Sequence, residues 1–436
     1  MGDRERGQRQ ARAGRRDPDG RGAVTELSAL RPLAGLRVVE ISSFVAAPLA
    51  GMTLAQLGAD VIRVDPIGGA ADVNRWPLTE QGASIYWTGL NKGKRSLVAD
   101  LRTAEGQDLV ARVITESGPN GGILLTNAVG RAWHGYEALA RRRPDLIHLE
   151  ISGRADGSTA VDYTVNAATG FPLVTGPAEH QGPVNHVVPV WDVTCGLYAA
   201  LAITAAVRHR DATGAGSRIA VPLDDVALAT AGNLGFLTEA ALCGRERPRL
   251  GNAIYGQYGQ HFTSADGVAF MVVTLTGRHF RDLAQVTGAA AAVAALAEAL
   301  GADFADEGVR FRYRDVLTGL FTTWFREHSA ADIADALAGT SVLWDRYRSF
   351  AEVVAEPRVT DNPLFTVLDQ PELGEHLAPG SPVSVNGEHS PARVAPRLGE
   401  HTADILGAEL GLSEDAIAEL RAAGAVGADI KERTSS

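Results

Sequence analysis

Cysteine is almost missing from this chain: Cys195 and Cys243 are the only two in 436 residues. Two thiols cannot build a disulfide framework or a cysteine metal site, and their apolar neighbours predict that both are buried in a reducing cytoplasm. No run of roughly 18 apolar residues occurs, so no membrane span or membrane partner is expected. A basic balance is missing too, since the formal net charge is -11. That removes the electrostatic footprint of a nucleic-acid binder, while leaving room for a local basic pocket for an anionic ligand. The sequence has no internal repeat, no Walker loop, no nucleophile elbow and no HExxH, and the first strand is not followed by GxGxxG, which argues against a nicotinamide enzyme. His134 and His186 stand without partners at metal-ligand spacing, so no metal site is expected.

What is present is an ordinary globular composition, 45% apolar and 21% charged. Its length suits one large domain and a smaller one. Residues 1–22 carry seven arginines diluted by Asp3, Glu5, Asp17 and Asp19. They have no apolar stretch to serve as a signal-peptide core, and residues 1–32 are expected to be a disordered tail. From Leu33 on, LRVVEIS (36–42), a small-residue helix (46–57) and ADVIRVD (59–65) read as strand, helix, strand, the unit of a parallel sheet. SLVADL (96–101), a helix at 104–115, GGILLTN (121–127), a helix at 136–143 and LIHLEISG (146–153) continue it. The fold class is therefore α/β, an open Rossmann-like parallel sheet with helices on its faces. Ligands in such sheets sit beyond the carboxyl ends of the strands, so residues 42–45, 66–69 and Asn127 onward should face the site. The segment TCGLYAALAITAAV (194–207) is apolar on every face and reads as a helix buried on all sides. SRIAVPL (217–223) is a strand and 226–242 one helix. The large domain is expected over 33–248 and a small α+β domain over 249–382, with helices from 383–436 returning to the large domain.

Few residues stand out chemically. Asp192 precedes the apolar helix, where it can be a helix N-cap, or a carboxylate kept ionised and nucleophilic by the same backbone N–H groups. Asp162, thirty residues earlier, is either a cap or turn carboxylate or a second acid of one site. Gly251, Gly256 and Gly259 in GNAIYGQYG let backbone approach a ligand closely, or mark a linker. Lys92, Lys94 and Arg95 crowd the approach to a strand, where they can hold phosphates or form a solvated turn.

Together these blocks resemble the family III coenzyme A-transferases, the group that also contains α-methylacyl-CoA racemase. The resemblance runs from Leu33 to Leu420 through LAGLRVVEISSFVAAPLAGMTLAQLGADVIRVDP, LNKGKRSLVADLRTAEGQ, GYEALARRRPDLIHLEISG, the Asp192 helix and APRLGEHTADIL. It implies a large Rossmann-like domain joined to a small one in an interlocked homodimer. It also implies that Asp192 attacks the acyl thioester with Asp162 in the same site. Coenzyme A would be part of the substrate, with no tightly bound cofactor. LNKGKRSLVADL matches a region lining the coenzyme A groove, which assigns Lys92, Lys94, Arg95, Asp100 and Leu101 to it. Asn127 at a strand end and Val161 and Tyr163 beside Asp162 are assigned there too. The glycine loop, with Tyr255, Gly256 and Gly259, matches a mobile loop over the intermediate; His186, Tyr163 and Arg346 are candidates for a free substrate carboxylate. Racemases have His where this chain has Val161, which removes one of the two proton-transfer groups racemisation needs. The blocks around the site (RWPLTEQGASIYWTGLNKGKRS, the short GRADGSTAVDYTVNAATGFPLVTGP and VNHVVPVWD) are most similar to members that move coenzyme A between the two carboxyl groups of one C5 unsaturated dicarboxylate. Transfer to a separate acid is the alternative, and a non-catalytic coenzyme A-binding homologue a third.

Overall fold

The computed structural model describes residues 30–244 and 246–427. The arginine-rich segment expected to be a disordered tail falls almost wholly in residues 1–29, outside the described residues. The first half of the chain alternates strand and helix: β1 (Arg37–Ile41), α1 (Ala46–Gln56), β2 (Asp60–Pro66), α2 (Ile85–Asn91), β3 (Arg95–Ala99), α3 (Ala104–Thr115), β4 (Ile123–Thr126), α4 (Tyr136–Ala140) and β5 (Ile147–Ser152). There follow α5 (Asp162–Ala168), α6 (Phe171–Val174), α7 (Val190–Thr213), β6 (Ser217–Pro222), α8 (Leu223–Asn233) and α9 (Phe236–Cys243). The six strands form one parallel sheet in the order β3-β2-β1-β4-β5-β6. Both faces are covered, which is why the central strands read as nearly continuous apolar runs. Val38, Val61, Leu125 and Leu149 face α1 and α7, whereas Val39, Ile62, Leu97 and Leu124 face α3 and the C-terminal helices.

Glu40, Arg63 and Asp65 break that apolar pattern on the α1 side, each with no exposed surface. Arg63 donates to Asp65 at 3.0 Å, to Asp72 at 3.1 Å and to Asn91 at 3.1 Å. Lys94 Nζ donates to Glu40 at 2.9 Å, to Asn91 at 2.8 Å and to the Pro48 carbonyl at 2.9 Å. Each charge thus has an opposite charge within reach, the condition for keeping ions in a protein interior, while Glu40 Oε2 is left without a hydrogen-bond partner among the described residues.

Helix α7 is long and apolar enough, by length and composition, to cross a bilayer, yet it lies along α1 and over β5 and β6. A Cβ on Gly196 would stand 2.7 Å from the Ala46 carbonyl oxygen, so the missing side chain lets α7 settle onto the start of α1. The expectation that this helix is buried on all sides is overturned: Leu197, Tyr198 and Leu201 are exposed. Apolarity on every face records what the sequence could bury, and one chain supplies cover for only part of it. The helix expected over 226–242 is broken at Gly235, whose φ of 82° ends α8 and starts α9. None of the residues of α9 is buried, and Cys243 is exposed rather than buried as its apolar neighbours suggested; Cys195 is buried.

Beyond α9 a separate core forms. Strands β7 (Tyr258–Thr263), β8 (Ala269–Thr274) and β9 (Leu343–Arg346) make an antiparallel sheet, packed through Tyr258, Phe262, Phe270, Phe280, Phe321 and Phe325 against the helices between residues 277 and 338. The hairpin Phe365–Gln370 with Gly374–Pro379 follows. The last segments return to the first sheet: Thr402 Oγ1 accepts from Val98 N at 3.1 Å, and Val426 bridges Ala99.

Candidate active site

The carboxyl ends of β1, β4, β5 and β6 open into a cleft of about 580 Å³. Its wall is Ser43, Phe44 and Val45 after β1, Asn127 after β4, Ile151, Ser152 and Gly153 at the end of β5, and Leu223 after β6. Strand order reverses between β1 and β4, so the strands' outgoing chains diverge there and leave a crevice. Asn127 ties that split together, its amide oxygen accepting from Ser43 N at 3.0 Å and its amide nitrogen donating to Ser43 O at 2.8 Å. Beyond Ser43 and Asn127 lies a second cleft of about 570 Å³, lined by Pro66, Leu101, Arg102, Arg131 and Trp133.

Asp192 lines the first cleft from the opening turn of α7. It is not the N-cap: Pro189 occupies that position and offers no side-chain acceptor, which places Asp192 third in the helix. The acceptor comes from elsewhere. Asp162, the first residue of α5 and only 2% exposed, accepts from Trp191 N at 2.7 Å and from Asp192 N at 3.2 Å through Oδ2. Its Oδ1 pairs with His186 Nε2 at 2.8 Å. The free N–H groups and positive end of α7 are therefore spent on Asp162. Asp192 meets the opposite environment from the one expected of a cap: burial and the neighbouring Asp162 push its carboxyl up to about 7, against the pull of Arg75. Among the described residues no hydrogen-bond donor reaches the Asp192 carboxylate. A half-buried carboxylate without a partner, and with its proton affinity raised, is a better nucleophile once ionised than an ordinary aspartate.

The other expected residues divide. Val161, Asp162 and Tyr163 line the same cleft as Asp192, with Tyr163 donating to the Val187 carbonyl at 3.2 Å. Asn127 lines both clefts and Leu101 the second. Asp100 is turned to its own neighbour, accepting from Arg102 N at 3.0 Å and from Arg102 Nε at 2.9 Å. His186 packs behind Asp162 beside Tyr163 and Trp191, orienting the acid rather than lining the cleft.

The three cations around the start of β3 are sent three ways. Lys94 is sealed in the Glu40 cluster and has no donor left to face a phosphate at the surface. Arg95 pairs at 2.8 Å with Asp60, at the amino end of β2 and away from the clefts. Lys92 borders a different hollow with Tyr86 and His376. Lys92 closes α2, Gly93 turns the chain at a φ of 76°, and Lys94 and Arg95 enter β3 on opposite sides, so sequence crowding does not become a spatial patch. The glycine loop is also elsewhere: Tyr255, Gly256 and Gly259 do not line the Asp192 cleft. Arg247 is held between the rings of Phe236 and Tyr255 at 3.9 and 4.0 Å, and Gly259 lies in β7 with its carbonyl accepting from Ile254 N at 3.1 Å. Arg346 ends β9 and pairs with Glu356 at 3.5 Å.

Among the cleft residues, Arg75 and Tyr86 were not singled out from the sequence, and Phe44 only as part of 42–45. Phe44 has a φ of 66°, rare for a side chain with a Cβ, and its N–H donates to Asp72 at 2.9 Å. The Arg75 guanidinium sits 5.2 Å from the Phe44 ring and 5.0 Å from the Tyr86 ring. Arg75 and Tyr86 belong to RWPLTEQGASIYW, a stretch noticed as a block whose residues carried no spacing signal of their own.

The chain is similar to known proteins along nearly its whole length. The profile of CoA-transferase family III matches residues 33–402. The 2-methylfumaryl-CoA isomerase of Chloroflexus aurantiacus is 46% identical over 398 residues, covering 90% of this chain and 97% of that protein. The succinate–glutarate CoA-transferase of Agrobacterium fabrum is 31% identical, over 86% of this chain and 95% of that one. Among solved structures, a CAIB/BAIF family protein from Brucella suis superposes with a TM-score of 0.71 at 27% identity, covering 86% of this chain and 99% of its own. A six-stranded sheet with an unpaired aspartate at its switch point, and a family profile spanning most of the residues, lead to one assignment: the chain belongs to CoA-transferase family III.

Proposed function

We propose that this enzyme moves coenzyme A between the two carboxyl groups of one C5 unsaturated dicarboxylate, converting 2-methylfumaryl-CoA to 3-methylfumaryl-CoA. The observation that carries the reading is the unpaired Asp192 carboxylate in a cleft at the sheet's switch point. The 46% identity to the Chloroflexus isomerase narrows the substrate. Two clefts that meet at Ser43 and Asn127 suit a long thioester, with the acyl group beside Asp192 and the coenzyme A arm running past Leu101.

In this reading an Asp192 oxygen attacks the thioester carbonyl, the C–S bond breaks, and a mixed anhydride forms as thiolate leaves. The thiolate attacks the Asp192 carbonyl, giving an aspartyl-CoA thioester and freeing the diacid. The diacid turns within the cleft and its other carboxylate attacks the aspartyl thioester, expelling thiolate again. The thiolate then attacks the substrate carbonyl of the second anhydride, restoring the Asp192 carboxylate and releasing the isomeric thioester. Holding the diacid between the two halves gives an effective concentration that a separate acceptor does not reach. For Gly256 and Gly259 to offer backbone N–H groups to the oxyanions, the Arg247 clamp on Tyr255 has to open. Val161 stands where racemases have histidine, and the histidine that does meet Asp162, His186, packs behind it without lining the cleft, so racemisation is not proposed. The exposed Leu197, Tyr198 and Leu201 of α7 support a homodimer as the working assembly.

Incubation with 2-methylfumaryl-CoA as sole substrate should yield the C4 thioester by chromatography. Turnover that begins only when a free carboxylic acid is added assigns the enzyme to intermolecular transfer instead, as in the Agrobacterium relative.

A further inference from the structure

A diacid thioester carries one free carboxylate into a cleft whose walls are largely apolar and whose own acids, Asp162 and Asp192, repel it. Such a group needs a cation or several hydrogen bonds. Among the described residues lining the cleft, Arg75 is the one cation. It stands apart from the chain's other well-placed arginines. Arg63 is consumed by Asp65 and Asp72, and Arg37 and Arg95 by Asp60, whereas no carboxylate among the described residues lies within ion-pair distance of Arg75. The rings of Phe44 and Tyr86 lie against its guanidinium, which also donates to the Tyr86 hydroxyl; with five N–H donors and no carboxylate partner, it keeps donors to meet a substrate carboxylate. Its backbone is fixed on both sides: Arg75 N donates to Asp72 O at 3.1 Å, and Arg75 O accepts from Ser84 Oγ at 2.6 Å.

We propose that Arg75 is the carboxylate-binding residue of the cleft, holding whichever end of the retained diacid is not reacting at Asp192. The inference rests on the intramolecular reading above and deepens it. Before the first transfer Arg75 binds the free C4 carboxylate; after the diacid turns, it binds C1 while C4 attacks. One cation used twice makes the two poses nearly equivalent and keeps the diacid in the cleft while coenzyme A rests on Asp192. Phe44 and Tyr86 fix the height of that cation, so they set the distance between the two carboxyl groups the cleft accepts.

The test compares wild type with Arg75→Met and Arg75→Lys on two thioesters: 2-methylfumaryl-CoA, and 2-methylcrotonyl-CoA, which has a methyl where the diacid has its free carboxylate. Arg75→Met should lower kcat/KM for isomerisation by about 10- to 100-fold, the scale for losing one charge-assisted hydrogen-bonded contact. Arg75→Lys should recover part of that. Both variants should form aspartyl-CoA from 2-methylcrotonyl-CoA at the wild-type rate, read by hydroxylamine trapping and peptide mass, which also verifies folding. Arg75→Met should further let free labelled diacid exchange into product, because the unheld intermediate escapes. Equal losses on both thioesters, or unchanged isomerisation, overturn the role of Arg75 while leaving the isomerase reading intact. A wild type that leaves 2-methylfumaryl-CoA unchanged overturns the isomerase reading, and the inference with it.

Discussion

Two groups of charge flank the turn at Ser42 to Val45, and they are built in opposite ways. On the inner side, Glu40, Arg63, Asp65, Asp72 and Lys94 are all but sealed from solvent, and each acid meets a cation. On the outer side, Asp192 and Asp162 share one helix start, Asp162 taking its N–H groups and Asp192 left with none. Burial alone therefore does not mark a reactive group here; burial without compensation does. The two groups are also connected. Asp72 accepts from Arg63 on one side and from Phe44 N on the other, so the inner cluster holds the backbone that presents Phe44 and, one turn on, Arg75 to the cleft.

The sharpest way to separate the two is to neutralise one acid from the outer pair. Asp192→Asn should reduce turnover by at least about 10⁴-fold, as expected when a covalent nucleophile is removed, while coenzyme A thioester binding persists in calorimetry. The same change should stabilise the fold. The Asp192 carboxyl is raised in the folded state to about 7, so its ionisation disfavours folding as pH climbs from the ordinary aspartate range, and fully so above 7. The melting temperature of the variant should thus match wild type near pH 4 and exceed it by a gap that opens up to neutrality. A wild type that melts higher than the variant above pH 7 breaks the claim that Asp192 is uncompensated.

The inner cluster should respond in the reverse sense. Lys94→Met strips Glu40 of its hydrogen-bonded cation, leaving only Arg63 at 3.9 Å, and should cost about 3 kcal/mol in urea unfolding. Because Lys94 does not reach either cleft, the folded variant should keep KM for the thioester within about threefold, well under one charge-assisted contact. A large rise in KM with little loss of stability returns Lys94 to the coenzyme A groove.

The smallest effect is in the pH profile. In the proposed mechanism only the ionised Asp192 attacks, so kcat/KM should climb about tenfold per pH unit below 7 and level above it. Asp162→Asn keeps an oxygen for the α7 N–H groups but removes the negative charge that helps raise Asp192, so the limb should move to lower pH. A limb that stays in place shows burial acting alone.

Much of this was legible in the residues. Apolar runs of strand length separated by helical stretches were enough to give the parallel sheet, because a strand covered on both faces must be apolar throughout. The blocks from Leu33 to Leu420 carried the family, and Asp192, Asp162, Tyr163 and Asn127 do meet at the cleft. Other residues could not be placed from sequence. Lys92, Lys94 and Arg95 are neighbours in the chain and strangers in space, since backbone direction at a strand entry separates them. Arg75 is an unremarkable residue until the rings of Phe44 and Tyr86, brought from opposite sides of it in the sequence, close around its side chain.

The sequence by itself determined the sheet, the apolar helix over 194–207 and the two aspartates that could serve it, because these follow from local periodicity and from side-chain chemistry. Only the tertiary structure decided which aspartate caps that helix and which is left without a partner. That choice depends on where α5 docks. With Asp162 delivered to the N–H groups of Trp191 and Asp192, the helix start is satisfied from outside, and the carboxylate that sequence proximity suggested for the cap is freed for chemistry.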